Sequence, residues 1–250
     1  MCYKKIARIL VLLIILFQGL ILLNHDRQIR EITNHTVALS LTRDAFVQIE
    51  VALDDGSNNP LQFKGSGVLI GKHEKNNYIL TANHLCNPAI PDFLAAYAGS
   101  KVIYVIDFGG ETYFGNIVLN SLTHDLCLLQ FEGDISAIAV RVANYPPHLD
   151  EKVYAYAAPT GFFAPHVIPL FEGRYAGDIT DYGEASSAYT MPAVGGSSGA
   201  AILNNDGEIV GVVHSSLVEF HHIVLATRHE DMTMFLNEYY VLSGINFLQP

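Results

Sequence analysis

From Ala45 to Leu53 the apolar residues Ala45, Val47, Ile49, Val51 and Leu53 fall on every second position. Successive side chains of a strand point to opposite faces, so this alternation calls for an extended segment with one buried face. The run closes on Asp54-Asp55-Gly56-Ser57-Asn58-Asn59-Pro60, a cluster of turn formers. Similar short runs recur at Leu61–Phe63, Gly67–Ile70, Tyr78–Thr81, Val102–Asp107, Tyr113–Leu119 and Leu126–Phe131. Beyond Pro146-Pro147 they continue at Lys152–Ala157, His166–Leu170, Ile202–Asn204, Glu208–Val213 and His221–Ala226. Many short strands with close turn signals predict an all-β sandwich or barrel. Alternating βαβ units would need intervening helices of about ten or more residues, and the pattern offers none. One helix is predicted near the end, Glu230–Tyr240, with Met232, Phe235, Leu236 and Tyr239 at helical spacing. Pro146-Pro147 is the natural midpoint between two β halves.

The N-terminus obeys a different rule. Lys4, Lys5 and Arg8 precede an apolar run from Ile9 to Leu23 that is interrupted only by Gln18 and Gly19. Crossing about 30 Å of hydrocarbon takes ~20 helical residues, with ~17 as the lower limit. Residues 6–23 meet that limit if Arg8 snorkels to the headgroups. No small-residue cleavage pattern follows Leu23, so the segment reads as an uncleaved signal anchor rather than a removed signal peptide. The alternative is secretion after cleavage. Retention of Lys and Arg on the cytoplasmic side predicts a cytoplasmic tip at 1–5, a membrane span at 6–23 and a stalk at 24–43. Everything from 44 to 250 would then be extracytoplasmic.

Composition removes several function classes. Hydrophobic residues make up 50 % of the chain and charged ones 16 %, which excludes a disordered chain. The 14 basic and 25 acidic residues give a net charge of −11, and the leader holds three of the basic ones and no acid. No basic stripe is left to grip phosphates, so nucleic acid is not an expected partner. Three cysteines (Cys2, Cys86, Cys127) allow one disulfide at most. With no Cys-x-x-Cys pair and no His-Glu-x-x-His, neither a metal nor any other cofactor is expected.

Three local features carry chemistry. Thr81-Ala82-Asn83-His84 places a histidine just past a buried strand, at a core edge where its ring is held yet reaches solvent. His124-Asp125-Leu126-Cys127-Leu128-Leu129 places a carboxylate at the mouth of an apolar strand, where it can orient an imidazole. Gly195-Gly196-Ser197-Ser198-Gly199 is a run of small residues whose backbone can turn sharply and bring N–H groups to one point. The last motif also fits the Gly-x-Ser-x-Gly elbow, with Ser197 as nucleophile. An elbow needs a helix immediately after the serine. Here Ala201-Ile202-Leu203 and Ile209–Val213 flank Asn-Asp-Gly and predict a hairpin, which favours Ser198.

Taken together, in the order His, Asp, Ser, these motifs resemble the trypsin-like (chymotrypsin-fold) serine peptidases, which include the HtrA-type and glutamyl endopeptidases. Gly65-Ser66-Gly67-Val68-Leu69-Ile70 and Gly207-Glu208-Ile209-Val210-Gly211 add supporting matches. The resemblance runs from about Ala45 to Tyr240. It implies two six-stranded antiparallel β-barrels, roughly 44–143 and 148–228, followed by the short C-terminal helix. It implies His84 as general base, Asp125 as its orienter and Ser198 as nucleophile, with the N–H groups of Gly196 and Ser198 as the oxyanion hole. The substrate would be a polypeptide, and Val213, His214 and Ser215 would line its pocket.

Two departures from the family pattern carry expectations of their own. Ala200 stands where the family has Gly or Ser. His214 lies three residues after Gly211, where glutamyl-type relatives carry a pocket histidine two residues after, so it can face the aspartate instead. Val213 in the pocket-facing place would favour a small or apolar residue before the scissile bond. The triad brings the Cys86 and Cys127 segments together, so these two are either a disulfide or a pair of buried thiols. The alternative function is a catalytically inactive peptidase-fold binding or scaffold module.

Overall fold

A computed structural model describes residues 16–27, 29, 38–40, 42–54, 56, 60–88, 100–164, 167–180, 185–217 and 220–248. Residues 1–40 and 41–250 form two separate units. In the first unit, residues 16–27 are helical, and Leu16, Phe17, Leu20, Leu22 and Leu23 are exposed. Among the described residues no helix is long and apolar enough to cross a membrane. Residues 6–15 of the expected span lie outside the described residues.

The second unit contains two closed six-stranded antiparallel barrels. The first has the order β1-β2-β3-β6-β5-β4. Its strands are β1 (Phe46–Asp54), β2 (Leu61–His73), β3 (Asn76–Ala82), β4 (Lys101–Asp107), β5 (Thr112–Ser121) and β6 (Leu126–Glu132). Alternation in β1 sends Val47, Ile49, Val51 and Leu53 into the core, at 2 % exposure or less. Leu69, Ile79, Leu80, Ile106, Leu126 and Leu128 meet them there, each fully buried. The two runs expected at Leu61–Phe63 and Gly67–Ile70 are one 13-residue strand, because β1 pairs straight through Lys64, Gly65 and Ser66.

The second barrel has the order β10-β11-β12-β9-β8-β7. Its strands are β7 (Lys152–Tyr156), β8 (Leu170–Ile179), β9 (Ser186–Tyr189), β10 (Ala201–Leu203), β11 (Ile209–Leu217) and β12 (Phe220–Ala226). Here two expectations needed correcting. The strand expected at His166–Leu170 begins only at Leu170 and runs on to Ile179, and β9 had no expected counterpart. The residues that β8 buries are Gly173 and Tyr175, and β9 buries Ser186, Ser187, Ala188 and Tyr189. Glycine and serine carry no hydrophobic period, so neither strand announces itself.

The segment between the barrels is hydrogen-bonded to both. Val140 donates its N–H to the Leu69 carbonyl of β2 (2.8 Å), and Ala143 to the Ile209 carbonyl of β11 (2.9 Å). The C-terminal helix spans His229–Ser243, a little longer than expected, and buries Met232, Phe235, Leu236 and Tyr239. It returns to the first barrel, where Tyr239 and Phe247 pack on Tyr78 with ring centroids 5.8 and 5.1 Å away.

Candidate active site

The register of the first barrel brings the histidine and aspartate motifs together. Strands β3 and β6 pair Thr81 with Cys127 and Ala82 with Leu126. In an antiparallel pair the end of one strand lies beside the start of the next, so His84 and Asp125 must meet. Beyond Ala82 the chain turns into a one-turn helix, Asn83–Cys86. Asn83 donates its N–H to the Asp125 carbonyl (3.0 Å), and its buried side chain accepts from Asn120 Nδ2 on β5 (3.0 Å). Cys86 and Cys127 form a disulfide directly behind the pair.

Asp125 sits at φ 47°, in the left-handed region that Asp tolerates better than most residues. There its carboxylate turns back on the histidine. Oδ1 accepts the His84 N–H at 2.8 Å, and Oδ2 lies 2.7 Å from His84 Nδ1. An ionised carboxylate can only accept, so Nδ1 carries the proton and Nε2 keeps its lone pair. The His84 side chain is 42 % exposed and that of Asp125 is 18 % exposed. From outside, the loop is braced by the start of the C-terminal helix. Thr227 Oγ1 donates to the His124 carbonyl (3.1 Å), while buried Asp231 takes two bonds from Arg228 and lies 3.6 Å from His124 Nδ1.

Ser198 lies in the loop between β9 and β10. The two neighbouring serines part company there. Ser197 is 3 % exposed, and its Oγ accepts the Val194 N–H (3.3 Å). Its hydroxyl is committed to the loop's own structure. The side of Ser198 is partly open, and its carbonyl accepts the Ser66 N–H of β2 (2.7 Å). The chain then enters strand β10, not a helix, which removes the elbow geometry. Gly199 sits at φ 84°, and a Cβ there would lie 2.0 Å from the Ser66 carbonyl oxygen and 2.2 Å from Thr81 Oγ1. Only glycine lets this loop press so closely on the first barrel.

Among the described residues, the N–H groups of Gly196 and Ser198 donate to nothing, and Ser198 Oγ and His84 Nε2 have no hydrogen-bond partner. The loop therefore presents two unengaged N–H donors and a hydroxyl, and the first barrel a ring nitrogen with a free lone pair. Such a set can take a proton from an oxygen nucleophile and stabilise an oxyanion. No group of three His, Cys, Asp or Glu among the described residues could hold a metal.

The three pocket residues fall in different places. Val213 is 3 % exposed and packs in the core of the second barrel with Ala200 and Ala226, so it offers a substrate almost no surface. Ser215 is exposed. His214 lies between them on β11, with Nε2 3.1 Å from Ser186 Oγ and Nδ1 3.0 Å from Ser215 Oγ. Burial pushes its pKa below the usual 6.5. The Asp125 charge opposes that shift and His84 adds to it, so the ring sits within electrostatic reach of both. Sequence reasoning missed Ser186, whose strand has no apolar pattern, and Ser66, which appeared only as part of a glycine-flanked motif.

A family model for the trypsin-like peptidase domain matches residues 65–212, more than half of the chain. The chain belongs to the trypsin-like peptidase family. Two solved structures share the fold of this peptidase domain, both of Rv3671c from M. tuberculosis. One is an inactive form with a serine-to-alanine mutation, at TM-score 0.61 and 14 % identity, covering 84 % of this chain and 93 % of that one. The other is the active form of the Rv3671c protease, at TM-score 0.61 and 16 % identity, covering 80 % of this chain and 82 % of that one. No curated protein sequence matches the chain.

Proposed function

We propose that this chain is a serine endopeptidase that hydrolyses polypeptides through His84, Asp125 and Ser198 and is held at a membrane by residues 6–23. The observation that carries the reading is the doubly bonded His84–Asp125 pair, joined to a loop that offers the Ser198 hydroxyl and two unengaged N–H groups. Ser198 Oγ adds to the carbonyl carbon of the scissile peptide while its proton passes to His84 Nε2. Asp125 keeps the ring in the tautomer that can accept that proton and stabilises the imidazolium that results. The oxyanion takes hydrogen bonds from the Gly196 and Ser198 N–H groups. Collapse breaks the C–N bond, His84 gives the proton to the departing amine, and water then hydrolyses the acyl-enzyme by the same route.

Several features support placing the peptidase domain outside the cytoplasm. Positive charge precedes the apolar run, the apolar side chains of residues 16–23 face outward, and a disulfide suits an oxidising compartment. The expected test is labelling of the full chain with a fluorophosphonate probe, together with casein hydrolysis. Wild type should label at Ser198 and hydrolyse casein, and Ser198→Ala should do neither. A folded wild type that neither labels nor hydrolyses would instead be a peptidase-fold binding module. Membrane attachment is tested separately, by whether alkaline carbonate releases the chain from membranes.

A further inference from the structure

Ser66, in the middle of Gly65-Ser66-Gly67 on β2, has no step in the mechanism above. It is nonetheless 2 % exposed and every polar group it has is engaged. Its N–H donates to the Ser198 carbonyl (2.7 Å), and its carbonyl accepts from Thr81 Oγ1 (2.7 Å). Its hydroxyl donates to the Gly196 carbonyl (2.8 Å) and accepts the Ala158 N–H (2.9 Å). One buried hydroxyl of the first barrel thus bridges two loops of the second.

The geometry of three successive peptides gives that bridge a meaning. In a trans peptide the carbonyl and the N–H point to opposite sides, so fixing one fixes the other. The Gly195 carbonyl accepts the Thr160 N–H (2.6 Å), which turns the Gly196 N–H the opposite way. The Ser197 carbonyl accepts the Ala200 N–H (3.0 Å), which does the same for the Ser198 N–H. Between these two donors lies the Gly196–Ser197 peptide, whose carbonyl is the one that Ser66 holds. The two loops meet closely, at Gly196 in a conformation open to glycine and at Thr160 in one that threonine avoids. Gly196 sits at φ 92°, with the Ala158 carbonyl oxygen 2.4 Å from where a Cβ would be, and Thr160 sits at φ 53°. A backbone in such regions persists only when its surroundings over-determine it.

We infer that Ser66 is a positioning residue for the oxyanion hole: its hydroxyl bridges the Gly196 carbonyl and the Ala158 N–H and so sets the spacing and aim of the Gly196 and Ser198 N–H donors. The inference rests on the proposed serine peptidase reading. It joins the two halves of the site, because Ser66 shares a barrel with His84 and Asp125 while the donors belong to the other.

The test compares wild type with Ser66→Ala in the full chain, using a peptide substrate, a peptide aldehyde and the matching peptide alcohol. The aldehyde adds to Ser198 Oγ and forms an oxygen that needs the hole; the alcohol binds the same groove without that need. In Ser66→Ala we expect kcat and aldehyde affinity to fall together by about 10- to 100-fold, less than loss of a whole donor brings. KM and alcohol affinity should stay within about threefold. A folded Ser66→Ala with kcat within about twofold of wild type overturns the inference. So does an equal loss of aldehyde and alcohol affinity, which marks a merely structural role. Should the alanine variant fail to fold, Ser66→Cys, which fills the site with a weakly donating thiol, carries the same expectations. A wild type without Ser198-dependent hydrolysis would refute the peptidase reading instead, which keeps the two failures distinct.

Discussion

The two barrels have the same strand number and connectivity but are filled differently. The first closes on branched and aromatic side chains such as Ile49, Leu53, Leu80, Ile106 and Phe131. The second closes largely on small ones, with Ala143, Ala155, Ala157, Ala193, Ala200 and Ala226 in its core beside Tyr175, Tyr189 and Met191. It adds side-chain hydrogen bonds at its edge, on the exposed Asp178. Asp178 Oδ1 accepts from Ser187 Oγ (2.6 Å) and from Tyr175 OH (2.8 Å). Burial, helped by the Asp178 bond, pushes the Tyr175 hydroxyl up to about 12, so it stays protonated and donates. The first barrel holds the doubly hydrogen-bonded His84–Asp125 pair at the ends of packed strands. The second holds a loop whose shape depends on polar contacts, several of them supplied by the first.

The sharpest way to break this division is where the barrels touch. Gly199→Val puts a branched side chain into the Ser66 carbonyl and Thr81 at a φ that valine avoids. We expect a loss of about 4 kcal/mol or more in urea unfolding, with no labelling at Ser198. Within the barrels, truncation separates the two kinds of core. Leu80→Ala should cost about 4 kcal/mol, and Ala155→Gly in the second barrel only about 1–2 kcal/mol, read from the same titrations. Equal costs would mean that the two cores are not different in kind.

The disulfide staples the first barrel alone. Cys86 and Cys127 lie 41 residues apart in sequence, and replacing both by serine should lower stability by about 3 kcal/mol. Asp178→Ala probes the polar seam of the second barrel. It takes the exposed acceptor from the Ser187 and Tyr175 hydroxyls and should cost about 1 kcal/mol while leaving the His84–Asp125 pair untouched. The smallest effect is the pH dependence from His214. Its pKa in the fold lies below the usual 6.5, so the unfolded chain binds the proton more readily. This contribution to stability is present above about pH 6.5 and is lost as the pH falls toward the folded value. His214→Gln should flatten the decline of Tm between about pH 7 and about pH 5; an unchanged decline would place its cause elsewhere.

The same contrast explains how much could be read in advance. Val47, Ile49, Val51 and Leu53 advertise β1, because one buried face of a strand imposes period two. Met232, Phe235, Leu236 and Tyr239 advertise the C-terminal helix in the same way. Strands β8 and β9 are silent, because glycine, serine and alanine share their inward positions with a single tyrosine in each, Tyr175 and Tyr189. The three motifs marked candidate residues but not how they are held. Nothing near Ser197 in the chain says that its hydroxyl is spent on Val194, and nothing near Val213 says that the barrel core takes it in.

By itself, then, the sequence determined the β-rich architecture, the C-terminal helix and the order of the His84, Asp125 and Ser198 motifs. These depend on periodicity and turn chemistry that act over a few residues. Only the tertiary structure decided which serine faces outward, that Cys86 and Cys127 are bonded, and what Ser66 touches. The first rests on a bond across three residues of a folded loop, between Val194 and Ser197. The other two are contacts between distant parts of the chain, as between Ser66 and Gly196, which are 130 residues apart. Such contacts exist only once both barrels have closed.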